Sequence, residues 1–587
     1  MGLFSLCSGL LGSITPEQQN LKSLWGTLLL PTLPMWLMGK DGSYGVAPWG
    51  NRTAEGTNAY IDYPTTGVIR HYEFNITRDV IAPDGYQKSV LLVNGQFPGP
   101  LIEANWGDYI EVKVNNHITD IEEGTSMHFH GFLQTQTPWM DGTPGVTQCP
   151  IAPGKSFTYK VQATLYGTTW YHAHYSAQYA GGLLGPLVVY GPNHVDYDTD
   201  LGPIMVSDWW HKDYKSVIDE IMAPGFRGQT IADNNLIQGK MLFNCSMVAR
   251  DDKTPCHNHA GVAKFRFQKG KTHRLRFINT GAQGTERISI DGHTMTVIAN
   301  DLTPIIPYDT KVVVVGTGQR VDVVVKADAG RLDSAFWLRA TLSPCSVAKQ
   351  HLAQAAIFYD DANENELPDS KAWPDEDPNT CANDDLYLTQ PMYPIPVPEP
   401  SFTQEMDIGV IINETDHFLW TLDGESPRAD YNHPTLLAAK EGNLTSFGSE
   451  AGIYDYGSNS SIRINIWNPL IAPHPMHPHG VEMYVLSQGP GKWDGSTITN
   501  PNNPLRRDVH MVQGGGHLVV QIDTWNTGLW AFHCHIAWHA AQGFFTQFLF
   551  NSHEVTELDI PDSIYQTCRE WDEFTSRTVV DQIDSGI

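Results

Sequence analysis

Residues 530–545, WAFHCHIAWHAAQGFF, place four metal-binding side chains within seven residues. Imidazole nitrogens and thiolate sulfurs are strong ligands for transition metals such as copper and zinc. The four candidate ligands are His533, Cys534, His535 and His539. They lie too close along the chain for one ion to bind all of them comfortably, so we expect the segment to serve more than one metal site.

Paired histidines in the pattern His-x-His recur in the first and last thirds of the chain. MHFHGF (127–132) resembles MHPHGV (476–481), and WYHAHYSAQYAGGLLGPLVV (170–189) resembles WAFHCHIAWHAAQGFFTQFL (530–549). This internal repeat indicates one ancestral domain used twice. The four pairs are His128/His130, His172/His174, His477/His479 and His533/His535.

Each pair presents two imidazoles to one side if it lies on a strand, because residues i and i+2 of a strand face the same way. Eight imidazoles are too many for one ion, and they suit a cluster of two or three ions at a domain interface. A further pair, His257 and His259 in CHNHAG (256–261), has no repeat partner. We assign that pair to a loop.

The repeat also isolates an extra ligand set in the last third of the chain. Two histidines and a cysteine with a weak or absent axial ligand are typical of a blue-copper electron-transfer centre. A structural zinc site is the alternative, but it requires four firm ligands, and the residue ten after Cys534 is Phe544, which cannot bind a metal. The aligned positions are Cys534 with Ala173, His539 with Gln178, and His474 with Thr125.

The elements that must position these motifs are β-strands. Alternating apolar and polar residues predict strands at 109–116, 157–163, 264–270, 320–327, 461–467 and 518–525. Helical patterns are sparse, at about 214–223 and 563–576. We therefore predict an all-β fold of several β-sandwiches.

The length of 587 residues exceeds one ordinary core. Proline-rich or acidic stretches near 191–200 and 360–403 indicate the joints between domains. We predict a signal or N-terminal extension at 1–65, a first domain at 66–192, a second at 193–370, a linker at 371–403, and a third domain with a C-terminal tail at 404–587.

Charge and cysteine content indicate the setting in which the protein works. The net charge of −28 argues against a nucleic-acid or anionic-membrane partner. The apolar run at 24–38 is too short for a membrane span and suits a signal-peptide core, with a membrane-anchored precursor as the alternative.

Setting aside Cys7 and Cys534 leaves six cysteines, which predict three disulfides and an oxidising compartment. Six glycosylation sequons agree with secretion: Asn51, Asn75, Asn244, Asn413, Asn443 and Asn459.

The motifs HFHG, HAH, HPMHPHG (474–480) and HCHIAWHAAQGF (533–544) resemble the signatures of the multicopper oxidases. The resemblance covers nearly the whole chain after about residue 66, and its branch resembles the laccases of ascomycete fungi. It implies three tandem cupredoxin-like β-sandwich domains with Greek-key topology. The chain ends in DSGI (584–587), similar to an end that this branch uses as a carboxylate plug in a solvent channel.

The resemblance implies four copper ions and the ligands of each. The type 1 copper takes His474, Cys534 and His539, with Phe544 at the axial position. The type 2 copper takes His128 and His477. The type 3 pair takes His130, His172 and His535 on one ion, and His174, His479 and His533 on the other.

The same resemblance implies the disulfides Cys149–Cys568 and Cys345–Cys381, which leaves Cys245 to pair with Cys256. Asp141 in WMDG matches an acid thought to help protonate reduced oxygen; the alternative is a turn Asp. The chain departs from the family at Phe129 and Ala173 without loss of a ligand. A third departure is Gln283, ten residues before His293, where laccases usually carry an acid that holds and deprotonates a phenol. An amide is not a useful base, so Glu286 is a candidate substitute.

We therefore predict a laccase-like oxidase that couples one-electron oxidation of a small phenol to four-electron reduction of O2 to water. The catalytic residues are Cys534, His533, His535 and Asp141, and the substrate-binding residues are Gln283, Glu286 and His539. A monomer that is secreted or bound to the cell wall is expected. The alternatives are a narrow phenol-coupling or pigment oxidase of secondary metabolism, a ferroxidase-type metallo-oxidase, and a non-enzymatic copper-binding glycoprotein.

Overall fold

The computed structural model describes residues 26–29, 32–39, 46–119, 122–373, 381–444, 447–448 and 451–587. Cys7 and parts of the predicted N-terminal extension and linker lie outside these residues. Within them, strands form six sheets that occur as three consecutive pairs along the chain. The predicted all-β class of three sandwiches is confirmed.

The sheets of the first sandwich have four strands each. One has, in spatial order, Lys88–Val93, Ile69–Ile81, Tyr109–Asn116 and Ser156–Gln162. The other has Ile102–Asn105, Leu184–Tyr190, Gly167–His172 and His128–Phe129. In Tyr109–Asn116 the alternation works as predicted, because Ile110, Val112 and Val114 are fully buried on one face.

The second sandwich pairs a six-stranded sheet with a five-stranded one. The first has Asn234–Ile237, Thr199–Trp209, Thr272–Asn279, Arg320–Lys326, Met295–Asn300 and Thr303–Thr310. The second has Ala263–Arg266, Leu352–Phe358, Ala335–Leu342, Glu286–Ile290 and Val312–Val315. The strand predicted at 264–270 is shorter than expected: it ends at Arg266, and the chain turns at 269–270.

The third sandwich repeats the six-and-five arrangement. Its first sheet has Phe418–Leu422, Phe402–Ile412, Ser461–Asn468, Gly516–Asp523, Met483–Pro490 and Leu505–Arg507. Its second has Ile453–Asp455, Phe545–Phe550, Gly528–Cys534, His474–Pro478 and His510–Val512. Both motif-bearing sheets have the same antiparallel register, because His128 pairs with His172 and His477 pairs with His533.

The described α-helices are few and short. They span Tyr214–Ile221, Thr435–Lys440, Ala537–Ala541, Ser552–Val555 and Asp562–Thr575, with 3-10 turns at Pro138–Met140, Gln178–Gly181 and Cys245–Met247. The first and last of the α-helices were predicted, and Ala537–Ala541, which carries His539, was not. Among the described residues, no helix has the length and apolar character needed to cross a membrane.

Candidate metal centres and active site

Two histidines and the free cysteine meet at the edge of the third sandwich. Cys534 ends its strand, His474 begins the neighbouring strand, and His539 lies on the short helix that follows. The Cys534 Sγ lies 3.7 Å from His474 Nδ1 and 3.8 Å from His539 Nδ1. Phe544 packs its ring 4.9 Å from that of His474. The three ligand atoms thus surround one point, with an apolar ring beside them.

The other eight histidines form a second group between the first and third sandwiches. Three triads have ligand atoms close enough to hold an ion: His128, His130 and His477; His130, His172 and His535; and His174, His479 and His533. His479 Nε2 and His533 Nε2 lie 3.1 Å apart, and His130 Nδ1 and His535 Nε2 lie 3.3 Å apart. Two facing lone pairs repel each other unless a proton or a cation lies between them.

Hydrogen bonds at the outer ring nitrogens fix how these imidazoles are presented. The Nδ1 atoms of His128, His172, His477 and His533 lie 2.7–3.0 Å from backbone carbonyl oxygens, to which each N–H donates. The Nε2 atoms of His128, His172 and His477 are buried without a hydrogen-bond partner among the described residues. Metal-binding histidines commonly donate the outer N–H in this way, which leaves the inner lone pair for an ion.

Burial keeps these side chains in the form that binds metals. Removal from water, reinforced at most of them by neighbouring imidazoles, holds the pKa of nine of these rings below its ordinary range, so those nine rings are neutral at neutral pH. The pKa of His533 is lowered to about 4 and that of His539 to about 3. The pKa values held well below the ordinary value are those of His130, His172, His174, His474, His477, His479 and His535.

The expectation that both histidines of a pair lie on a strand needs correction. The strands end at Phe129, His172, Pro478 and Cys534, so the second histidine of every pair lies just beyond the strand. The two histidines of the pairs His172/His174, His477/His479 and His533/His535 consequently belong to different triads, while His128 and His130 share one triad and His130 also belongs to a second. On either side of Cys534, His533 contacts His479 and His535 contacts His130.

Two acids brace the histidine group from outside. Asp141 Oδ2 lies 2.8 Å from His479 Nδ1, and its backbone oxygen accepts from His128. Asp508, which the sequence analysis missed, accepts from His130 Nε2 at 3.1 Å through Oδ1 and from His477 Nδ1 at 2.7 Å through its backbone oxygen.

Arg320 of the second sandwich holds Asp508 in place. Its guanidinium makes a two-pronged ion pair with that carboxylate, at 2.5 and 2.6 Å, and both side chains are fully buried. The sequence feature that could have drawn attention to Asp508 is the run of charged residues at 506–508. Such a run is also typical of an exposed turn.

A cavity of about 300 Å³ opens beside His539, which is half-buried. Its walls are largely aromatic and aliphatic: Ile221, Phe226, Phe418, Trp420, Ile536 and Trp538. Polar side chains come from Gln229, Thr230, Gln283, Thr285, Ser346 and Gln542. Among the described residues that line it, none is Asp, Glu, Lys or Arg.

The two predicted substrate-binding residues of the second sandwich differ in position. Gln283 lines the cavity. Glu286 does not, because it begins the strand Glu286–Ile290 and its side chain is fully buried, with Oε2 accepting from Asn235 at 3.1 Å. Burial raises the pKa of Glu286 well above its ordinary value. The expectation that Glu286 replaces the missing acid is therefore wrong.

Disulfides join Cys149 to Cys568, Cys245 to Cys256, and Cys345 to Cys381, while Cys534 is free and buried. At the C-terminal end of the sequence, Ile587 is buried and lines a small cavity with His172, His174, His533 and His535.

His257 and His259 lie outside the strands, as predicted. Among the described residues they belong to none of the candidate metal triads.

Family models described as multicopper oxidase match residues 75–194, 200–363 and 423–554, which together make up most of the chain. The chain belongs to the multicopper oxidase family. A relative of this oxidase, the laccase-2 of Botryotinia fuckeliana, is 36% identical, with 92% of each chain covered. The dihydrogeodin oxidase of Aspergillus terreus is 32% identical over 89% of this chain and 91% of its own. The laccase structure from Botrytis aclada superposes with a TM-score of 0.82 at 34% identity, covering 92% of this chain and 99% of that one.

These findings make the chain a laccase-like multicopper oxidase, a copper-dependent oxidoreductase that uses O2. The donor sets fit copper. Neutral imidazoles suit copper ions, and a cysteine with two histidines beside an apolar axial side chain suits the blue-copper type. The buried, partnerless Nε2 atoms and the facing lone pairs of the histidine group are accounted for by cations at those positions.

Proposed function

We propose that this multicopper oxidase is a laccase-type phenol oxidase with four copper ions. The type 1 ion would be held by His474, Cys534 and His539, with Phe544 in the axial position. The type 2 ion would be held by His128 and His477. The type 3 ions would be held by His130, His172 and His535, and by His174, His479 and His533. Copper at these positions supplies the one-electron oxidation of the phenol and the four-electron reduction of O2 to water.

The observation that carries the proposal is the position of Cys534 between its neighbours. Its Sγ faces His474 and His539, while the rings of His533 and His535 contact histidines of two different triads. One covalent segment therefore links the substrate side of the protein to the O2 side. His539 alone of the three type 1 ligands is not fully buried, and it lines the cavity where a phenol would bind.

Asp141 is proposed to handle protons that the reduction of O2 consumes. Its Oδ2 accepts from His479 Nδ1 and from the Thr143 hydroxyl at 2.7 Å, while Oδ1 is buried and has no hydrogen-bond partner in the described part of the chain. Oδ1 lies 3.4 Å from His128 Nδ1, next to the proposed type 2 ligands. A carboxylate oxygen free to accept at that place is suited to taking up and passing on a proton.

A narrow phenol-coupling oxidase remains a second candidate, because the cavity lacks the acid that a generalist laccase uses and one relative is a dihydrogeodin oxidase. The ferroxidase alternative loses support, since Fe(II) prefers carboxylates and the described lining of the cavity has none. The complete ligand set leaves the non-enzymatic copper carrier without support.

Secretion is proposed from three disulfides and from the exposure of the sequon residues Asn51, Asn244, Asn413 and Asn443. Asn75 and Asn459 are half-buried and less accessible to a glycan. A monomer without stable membrane association stays the expectation.

The test uses purified protein, with copper counted per chain, the blue thiolate absorbance recorded, and O2 uptake measured with a simple diphenol and with Fe(II). We expect four copper ions, blue colour and uptake with the diphenol. The Cys534→Ser variant should lose one copper, the colour and the uptake. Absence of uptake with every donor at full copper loading would refute the oxidase proposal, and uptake with Fe(II) alone would support the ferroxidase.

A further inference from the structure

The cavity beside His539 offers no proton acceptor to a bound phenol. Oxidation of a neutral phenol releases a proton, and a buried site accelerates that release with a general base. The described lining has no carboxylate, and its one imidazole belongs to the proposed metal ligand His539. A base is therefore missing at the point where the proposed reaction would need one.

Asp208 and Glu286, two carboxyls of the second sandwich that lie close to Gln283 in the fold, cannot serve as the base. Asp208 directs Oδ1 to the backbone N–H of Ala282 at 2.7 Å and Oδ2 to those of Gln283 and Gly284 at 3.0 and 2.5 Å. It shapes the turn that carries Gln283, and it does not line the cavity. Glu286 is buried beneath the same turn and bonded to Asn235.

Two charged side chains close to the lining of the cavity pair with each other. Arg227, next to the lining residues Phe226 and Gly228, forms an ion pair with Asp416 on the third sandwich. That pair is exposed, and neither member belongs to the lining. The groups of the cavity wall that can favour one protonation state of a bound ligand are therefore polar and uncharged.

Gln283 presents a donor where a base would be expected. The Thr230 hydroxyl donates to Gln283 Oε1 at 3.1 Å, and both side chains line the cavity. Because the planar amide turns its oxygen toward Thr230, its NH2 group lies on the other side of the amide and is available to donate to a ligand. An N–H donor in a partly apolar cavity stabilises an anionic oxygen more than a neutral hydroxyl.

We propose that this cavity binds its phenols as phenolates, with the Gln283 NH2 group donating to the phenolate oxygen, and so selects phenols acidified by an electron-withdrawing group such as a ring carbonyl. The inference rests on the proposed phenol oxidase function. The volume of about 300 Å³ lies at the small end of ligand cavities, which suits one or two aromatic rings packed against the wall that Trp420 and Phe418 form together.

The reaction balances without a base in the protein. The O–H bond of each phenol breaks in solution, and its proton goes to water before binding. Each bound phenolate then loses one electron and leaves as a phenoxyl radical. Four such electrons and four protons from solvent reduce one O2 to two H2O.

The binding test uses the copper-loaded enzyme and 4-nitrophenol, which is hard to oxidise and whose phenol and phenolate forms absorb at different wavelengths. The spectrum of the bound ligand across a pH series gives its pKa in the cavity. We expect the wild type to bind the phenolate about tenfold tighter than the phenol, which lowers the pKa of the ligand by about one unit. An unshifted or raised pKa overturns the proposal.

Two variants distinguish the effect of the Gln283 amide on the pKa of the bound ligand from the effect of charge elsewhere in the cavity. Gln283→Glu places a carboxylate beside the ligand and should raise the pKa of bound 4-nitrophenol above its solution value. Gln229→Glu adds the same charge at an exposed position of the lining and serves as the matched control. It should leave most of the wild-type shift in place. Equal shifts in both variants would show that Gln283 has no special part.

Turnover gives a second readout. In the wild type, kcat/KM should rise with pH up to the solution pKa of each phenol in a graded series, whereas Gln283→Glu should favour weakly acidic phenols. O2 uptake with ferrocyanide, which releases no proton, is measured on the wild type in parallel. Its absence would refute the proposed oxidase, while ferrocyanide oxidation with a preference for weakly acidic phenols would refute only the phenolate proposal.

Discussion

Thr125 Oγ1 donates to Gln178 Oε1 at 2.8 Å in the interior of the first sandwich. These two positions align with His474 and His539, and Ala173 aligns with Cys534. The third sandwich brings two imidazoles and a thiol together at these positions. The first sandwich instead has the hydrogen bond between Thr125 and Gln178 there. The repeat thus keeps the paired histidines in both sandwiches, while only the third sandwich also brings His474, Cys534 and His539 together.

Thr125→Val should destabilise the first sandwich, because it removes the donor and leaves a buried amide oxygen unpaired. The expected cost is about 1–3 kcal/mol in the free energy of unfolding. Thermal unfolding of the copper-loaded protein measures it as a lower midpoint. Thr125→Ser, which keeps the hydroxyl, is the control and should lose less. Equal midpoints for the two variants would mean that the hydrogen bond contributes little.

Asp508→Asn should loosen the histidine group while sparing the type 1 set. The amide keeps an oxygen for His130 but turns an NH2 group toward the Arg320 guanidinium, which loses its charged partner. Changes to residues that orient metal ligands typically weaken metal affinity by about 10–100-fold.

Titration of the Asp508→Asn enzyme with a copper chelator checks this expectation. The copper of the histidine group should leave at lower chelator concentration than in the wild type, while the blue absorbance persists. Asp430→Asn, at an exposed acid paired with His433, is the control. Identical chelator curves for wild type and Asp508→Asn would contradict the positioning role.

The paired histidines and Asp141 were singled out from the sequence, while Asp508 and Arg320 were not. His-x-His pairs repeat along the chain, and a repeated pair of imidazoles is typical of metal binding, so the candidate ligand set followed from the chain alone. Asp508 and Arg320 are 188 residues apart and meet only through the packing of two sandwiches. No local pattern records such a buried ion pair.

The cavity shows the same limit at closer range. Gln283 and Glu286 are three residues apart, yet one lines the cavity and the other is in the core, because a strand begins at Glu286. The resemblance to laccases made Gln283 and, three residues later, Glu286 the candidates for contact with a substrate. The start of the strand, which sequence patterns locate only within a few residues, decides which one a substrate meets.

Glu482 predicts how stability depends on pH. It accepts from the hydroxyls of Tyr60 and Thr303 and is buried. Burial, followed by the charge of Asp508, raises the pKa of Glu482 to about 7. The folded protein therefore binds this proton more tightly than the unfolded chain does. The contribution of Glu482 is full below its unfolded pKa of about 4.3 and falls as pH rises to about 7.

Glu482→Gln, which cannot ionise, should therefore gain stability relative to the wild type as the pH rises from about 4 to about 7, by about 4 kcal/mol at most. Above that window the difference should stay constant. Thermal midpoints of both proteins across the pH range measure it, with the exposed Glu557→Gln as control. A difference independent of pH would show that Glu482 does not titrate in this window.

Phe544→Met tests the axial position of the proposed type 1 copper. The Phe544 ring packs against the ring of His474 and, at 5.6 Å, against that of Trp420. A methionine sulfur there would add a weak ligand, and axial ligation tunes the potential of a blue-copper site.

For Phe544→Met we expect a lower type 1 potential in a redox titration of the blue absorbance, and slower oxidation of phenols of high potential. Phe544→Leu, which adds no ligand, should keep the potential near that of the wild type. A potential that fails to fall in Phe544→Met would mean that this side chain does not face the copper.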